Sequence, residues 1–139
     1  MRKRIIALIL AVAASVLLVS CAAEKPTEVK LTIVETAWNS RTEPAYTETR
    51  RDTARLCIGD NTAVEWNSCD ALITIKDITD DGVVVRFTAN GVAPSNERGN
   101  FDFAADDDWT VTIKYGDVYY IGTQTLDAGT IWALVFEKL

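Results

Sequence analysis

Carboxylates, indoles and thiols are the side chains with chemistry to offer in this chain, and imidazole is not among them: its 139 residues contain no histidine. That excludes a Ser-His-Asp or Cys-His arrangement, His-containing zinc and haem sites, and an imidazole pH switch. Acid–base work would fall to carboxylates, lysine, tyrosine and hydroxyls. The densest acidic group is Asp106-Asp107-Asp108, with Asp102 nearby. Calcium wants about six to eight oxygen ligands, usually from a loop that alternates Asp with other residues before a Gly. Three consecutive aspartates lack that order. They read as a solvated acidic loop and a candidate binding surface, and no metal site or cofactor is assigned. A glycosidase needs two carboxylates at a defined separation. One sequence does not show which pair would converge, and a domain this small rarely encloses a polysaccharide cleft. No catalytic residue is assigned, and an enzyme is not expected.

Trp38, Trp66, Trp109 and Trp132 are the four indoles. Trp109 continues an apolar alternation and Trp132 lies in an alternating strand, so both are expected in the core. Trp38 and Trp66 sit beside polar residues and are the better candidates for an exposed platform. Tyr119 and Tyr120 are adjacent, so in a strand they face opposite sides.

The elements that must position these groups are strands, because apolar residues recur at period two. Val29, Leu31 and Ile33 alternate with Lys30 and Thr32. Alternation returns over 63–66, 72–78, 83–88, 109–115, 118–123 and 130–137. The weaker segments are 44–49 and 54–58, and 47–56 fits either a short helix or a polar edge strand. Three tight reversals are expected, each around Gly and Asp: Thr79-Asp80-Asp81-Gly82, Tyr115-Gly116-Asp117-Val118 and Leu126-Asp127-Ala128-Gly129. The first two are expected to be hairpins. The longest segment without a strand pattern is 90–108, and connections of that length are often functional.

The N-terminal segment is of a different kind. Arg2, Lys3 and Arg4 precede an apolar run from Ile5 to Val19, and the chain turns polar at Glu24, Lys25 and Pro26. The run of 15 residues is shorter than the roughly 20 a spanning helix wants. Its pattern is that of a cleaved export signal. Leu18-Val19-Ser20-Cys21 resembles the lipobox of bacterial lipoproteins. That resemblance covers residues 1–21 and implies cleavage before Cys21, diacylglycerol on its sulfur, and a position in the bacterial cell envelope, lipid-anchored and facing outside the cytoplasm. The expected organisation is a signal peptide over 1–20, a lipidated tether over 21–28 and a β-sandwich domain over 29–139. The part of the tether after Cys21 reaches at most about 25 Å, which keeps the domain close to the membrane. Processing removes three basic residues and no acidic one, leaving 11 basic against 20 acidic, a net charge of −9. Such a domain is a poor partner for nucleic acid and is repelled by anionic headgroups, so the lipid must do the anchoring.

Export also bears on the other two cysteines, Cys57 and Cys69. An even remainder in an exported chain suggests a disulfide, worth roughly 3 kcal/mol by loop closure. Two buried thiols are the alternative, and a spacing of twelve is unlike a Cys-x-x-Cys redox pair. Seven to eight strands with regular turns predict an all-β antiparallel sandwich. The segment 72–88 is similar to hairpins of bacterial Ig-like modules. The cysteine spacing departs from the immunoglobulin pattern, and the likeness implies a sandwich more than any function. The expected activity is a non-catalytic binding or assembly module for an envelope protein or wall polymer. A small enzyme inhibitor, or a carboxylate-based hydrolase, is the alternative.

Overall fold

The structure is a computed structural model that describes residues 26–139. The signal peptide and Cys21 lie outside the described residues. Nine strands form among the described residues: β1 (Glu28–Asn39), β2 (Tyr46–Cys57), β3 (Asn61–Trp66), β4 (Cys69–Ile78), β5 (Gly82–Asn90), β6 (Val92–Pro94), β7 (Asp108–Lys114), β8 (Val118–Thr123) and β9 (Ala128–Lys138). They make two antiparallel sheets, one ordered β2-β1-β9-β8-β6 and the other β3-β4-β5-β7. The segment 47–56 is strand, not helix. Its Thr- and Arg-rich composition carries no apolar stripe at helical spacing, and it pairs along β1 from Glu28↔Cys57 to Trp38↔Tyr46. The short β6 falls in the segment that shows no strand pattern, because three residues cannot display a period. Glu28, assigned to the tether, is the first residue of β1.

One core fills the space between the sheets. Val29 and Leu31 of β1, Ile73 and Ile75 of β4, Val83, Val85 and Phe87 of β5, and Trp132, Leu134 and Phe136 of β9 are all buried in it. These are the alternate residues of their strands, so period two places them on the inward face and sends their polar neighbours out. Burying apolar surface is the main stabilising term, about 25 cal/mol per Å². Phe87 stacks on Trp109 and Tyr119, with ring centroids 4.8 and 5.5 Å away. The Trp109 indole donates to the Tyr119 hydroxyl at 3.0 Å.

The register defines two poles. Glu28 and Lys138 lie at the near pole, where the chain enters the domain, with the turns 58–60, 79–81 and 115–117. Trp38, Tyr46 and Ala128 lie at the far pole, with the connections 40–45, 67–68, 95–107 and 124–127. Ten residues of β1 from Glu28 to Trp38, at about 3.3 Å each, separate the poles by about 33 Å.

Two expectations are corrected by this arrangement. Cys57 and Cys69 form no disulfide; both are free thiols, Cys57 exposed and Cys69 half-buried. The strand β3 lies between them in sequence and carries the chain about 20 Å away from the near pole. Cys57 therefore stays at the near pole, beside the turn whose Gly59 N–H donates to Ile75, while Cys69 opens β4 at the far pole. The six residues from Cys69 to Ile75 span about 20 Å, well beyond the roughly 7 Å of Cα separation a disulfide allows. The turn at Tyr115-Gly116-Asp117-Val118 is not a hairpin. It carries the chain from one sheet to the other, since β7 pairs with β5 and β8 pairs with β9. The Gly116 N–H donates across to the Phe136 carbonyl at 3.0 Å. The reversals at 79–82 and 126–129 do connect paired neighbours, β4 with β5 and β8 with β9.

Candidate functional site

The far pole gathers most of the side chains that the sequence singles out. Val29, Leu31, Ile33 and Glu35 share the inward face of β1, so Trp38 has the opposite parity and lies on the outward face, across from Tyr46 in β2. The segment 95–103 leaves β6 and folds back over that face. The Asn96 side-chain carbonyl holds its bend, accepting from the N–H groups of Arg98 and Asn100 at 2.9 and 3.0 Å. The Tyr46 hydroxyl ties the segment down by donating to the Arg98 carbonyl at 3.1 Å. Ile131 and Ala93 are buried outside the main core, under this second layer.

Between segment and sheet lies a hollow of about 380 Å³ lined by Trp38, Tyr46, Arg98, Phe101, Phe103 and Leu126. Phe101 and Phe103 touch, with centroids 4.4 Å apart. Phe103 is 78% exposed, Leu126 75% and Tyr46 45%. The Trp38 indole nitrogen is buried without a hydrogen-bond partner, an uncommon condition for a buried donor. A smaller hollow of about 260 Å³ is lined by Trp38 and Trp66 together, with Thr47, Pro44 and Ala128 at its edge. Trp66 also packs against the core. Trp38 and Trp66 are thus half-buried and adjoin one depression, while Trp132 is buried and Trp109 half-buried, both packed in the core.

Asp106, Asp107 and Asp108 lie at the same pole on the free edge of the other sheet, and line neither hollow. The Asp107 carbonyl accepts from the Ala89 N–H. Asp108 opens β7 and takes a two-point hydrogen bond from the Arg86 guanidinium. That hydrogen bond holds Asp108 below the usual carboxylate range and raises Arg86. Both groups are fully exposed, so the pair fixes a strand edge and contributes little stability. Among the described residues, no three acidic or cysteine side chains converge as metal ligands would.

The sequence reading missed Tyr46, Phe101, Phe103 and Leu126. The signal was present: two phenylalanines in a segment with no strand pattern, and a leucine at a turn, are apolar residues where no core demands them. Comparison with protein-family models, curated proteins and solved structures returns no match to this chain.

Proposed function

We propose that this protein is a bacterial envelope lipoprotein, anchored by lipid on Cys21 and facing outside the cytoplasm, whose β-sandwich is a non-catalytic module that binds an envelope protein through its far pole. The observation that carries this reading is the exposure of Phe103 and Leu126, 78% and 75%, on the rim of one aromatic hollow. Exposed apolar groups that rim a preformed depression are the composition of a protein contact, where aromatic anchors dominate the energy. A wall polymer is a poorer fit. Asn39, Ser40, Asn100 and Thr125 do stand beside the aromatic lining, as a sugar would want, but the two most exposed groups, Phe103 and Leu126, offer only hydrocarbon.

Position supports the same reading. The segment that would carry the lipid joins β1 at Glu28, at the near pole, and β1 sets Trp38 about 33 Å further along, at the pole opposite that junction. Immunoglobulin-like modules also meet their ligands through loops gathered at one end of a sandwich. The likeness stops at strand order: here β1 and β9, the first and last strands, are neighbours in one sheet, whereas the immunoglobulin arrangement divides them. The net charge of −9 after processing disfavours nucleic acid as a partner.

Crosslinking in native membranes from a photoreactive residue at position 103 tests the contact. One envelope protein should be captured, and Phe103→Ser with Leu126→Ser should abolish capture when the crosslinker is moved to position 98. Undiminished capture by that double variant rejects the far pole as the contact. Mass spectrometry of the native protein tests the anchor. A chain beginning at Cys21 and carrying diacylglycerol is expected, and an unmodified chain beginning at Met1 rejects it.

A further inference from the structure

A second cavity, separate from the far-pole hollows, opens between the sheets along the β2 and β3 edges. Its volume is about 500 Å³, within the range of small-ligand sites. It exists because β2 overhangs. The first eight residues of β2 are exposed, and these include its inward-facing positions Thr47, Arg50 and Asp52, which no strand of the other sheet covers. The floor is apolar, formed by Leu31, Ile33 and Val64.

Glu35 is the anomaly. The inward positions of β1 read Val29, Leu31, Ile33 and then Glu35, so a carboxylate stands where the pattern calls for a core residue. It is half-buried and oriented. The Trp132 indole, 1% exposed, donates to Oε2 at 3.0 Å. The Thr49 hydroxyl donates to Oε1 at 2.9 Å. Thr49 reaches it because it is the extra residue of a β-bulge, between the pairs Glu35↔Arg50 and Thr36↔Glu48. Both donors are neutral. Among the described residues that line the cleft, the cation is Arg50, and it is paired with Asp52 instead. Neutral donors leave the carboxylate's charge unbalanced, and its oxygens keep lone pairs that a cation can share. The charged residues lining the cleft are Glu35, Asp52, Glu65 and Arg50, so the site is net acidic and attracts positive charge.

We infer that this cleft binds a primary ammonium on a hydrocarbon stem, with the ammonium on Glu35 and the stem along Ile33 and Val64. The chemistry is that of an alkylamine or of a lysine side chain.

The test titrates hexylammonium into the ¹⁵N-labelled full chain in neutral detergent and follows the four tryptophan indole resonances. The Trp132 resonance should shift and saturate. Hexanol and hexanoate, with the same stem, should leave it in place. Glu35→Gln should weaken the amine about tenfold or more. Ala54→Phe, which fills the cleft from β2 and keeps Glu35, should do the same if Glu35→Gln does not fold. A capped peptide with one lysine separates the sources. Tighter saturation by the peptide assigns the site to a protein's basic side chain, and tighter saturation by hexylammonium assigns it to a free amine. No Trp132 shift, an equal shift with hexanoate or hexanol, or unchanged affinity in a folded Glu35→Gln or Ala54→Phe protein overturns the inference.

Discussion

At the near pole the chain reverses within residues 58–60, 79–81 and 115–117, while at the far pole it runs through 40–45, 95–107 and 124–127 before returning to a strand. Near-pole turns satisfy their own backbone. Thr79 Oγ1 accepts from the N–H groups of Asp81 and Gly82 at 3.3 and 3.2 Å, and Tyr115 donates to the Thr79 carbonyl at 2.7 Å. The far pole also ties its longer segments with side chains, Tyr46 and Asn96 above all, but its apolar Phe103 and Leu126, 78% and 75% exposed, stand further into solvent than Ile58 and Val118 of the near pole, 47% and 48%. The contrast separates groups that hold the fold from groups that the fold does not need. Large apolar side chains this exposed are the feature on which the proposed partner contact rests.

The sharpest challenge to this contrast is a pair of phenylalanine substitutions. Phe87→Ala, in the core stack, should lower unfolding stability by about 3–5 kcal/mol in urea. If Phe103→Ser costs as much, the far-pole aromatics are structural and the contrast fails. Next come two glycines. A Cβ at Gly82, on the near pole, would lie 2.3 Å from the Ile113 carbonyl oxygen, a backbone atom that cannot turn aside. Gly82→Ala should cost about 1–3 kcal/mol. A Cβ at Gly129, on the far pole, would lie 2.2 Å from the Thr123 hydroxyl and 3.0 Å from the Trp38 indole nitrogen. Thr123 is buried and its hydroxyl accepts from the Thr130 N–H, so Gly129→Ala should cost about 1–2 kcal/mol, and it should shift Trp38 in an indole spectrum.

A smaller effect is expected at Tyr119, between the poles. Burial pushes its phenol up from the ordinary tyrosine range, and the hydrogen bond from Trp109 offsets part of that rise. A folded-state value above the unfolded one gives a contribution that is full below about pH 10 and is lost as pH rises through the folded value. Tyr119→Phe should cost about 1 kcal/mol at neutral pH, because the Trp109 indole loses its acceptor. It should also make the loss of stability above about pH 10 shallower. Identical alkaline profiles for the two proteins would show that Tyr119 does not drive that loss. The smallest stability change belongs to Phe103→Ser with Leu126→Ser, within about 0.5 kcal/mol of the parent, and that variant should nonetheless lose its captured partner.

Much of the fold was legible because burial between sheets imposes period two. Val83, Val85 and Phe87, or Trp109, Val111 and Ile113, announce their strands without knowledge of neighbours. The polar β2 was left open between helix and strand, since an edge strand with both faces exposed needs no alternation. The expected disulfide failed for a different reason. Twelve residues of separation say nothing about direction, and β3 uses the interval to carry the chain from one pole toward the other. The turn at 115–118 was misread because Gly-Asp suits a corner between sheets as well as a hairpin. Of the candidate site, Trp38 and Trp66 were expected to be exposed because of their polar neighbours; both are half-buried, as Trp109 is, and they line one depression. Of the aspartates, Asp108 opens β7 and pairs with Arg86, while Asp106 and Asp107 precede the strand in exposed positions.

The sequence by itself determined which residues face the core, where Gly and Asp reverse the chain, the absence of imidazole chemistry and the acidic charge. Each follows from local composition or from a two-residue repeat, and neither requires a partner strand. Only the tertiary structure decided which strands are neighbours, that Cys57 and Cys69 stand at opposite poles, that 95–103 roofs Trp38, and that Glu35 meets Trp132 across 97 residues. Those are facts of register and of sheet order. Hydrogen bonds between distant strands set them, and no local pattern encodes which distant strand a given strand will find.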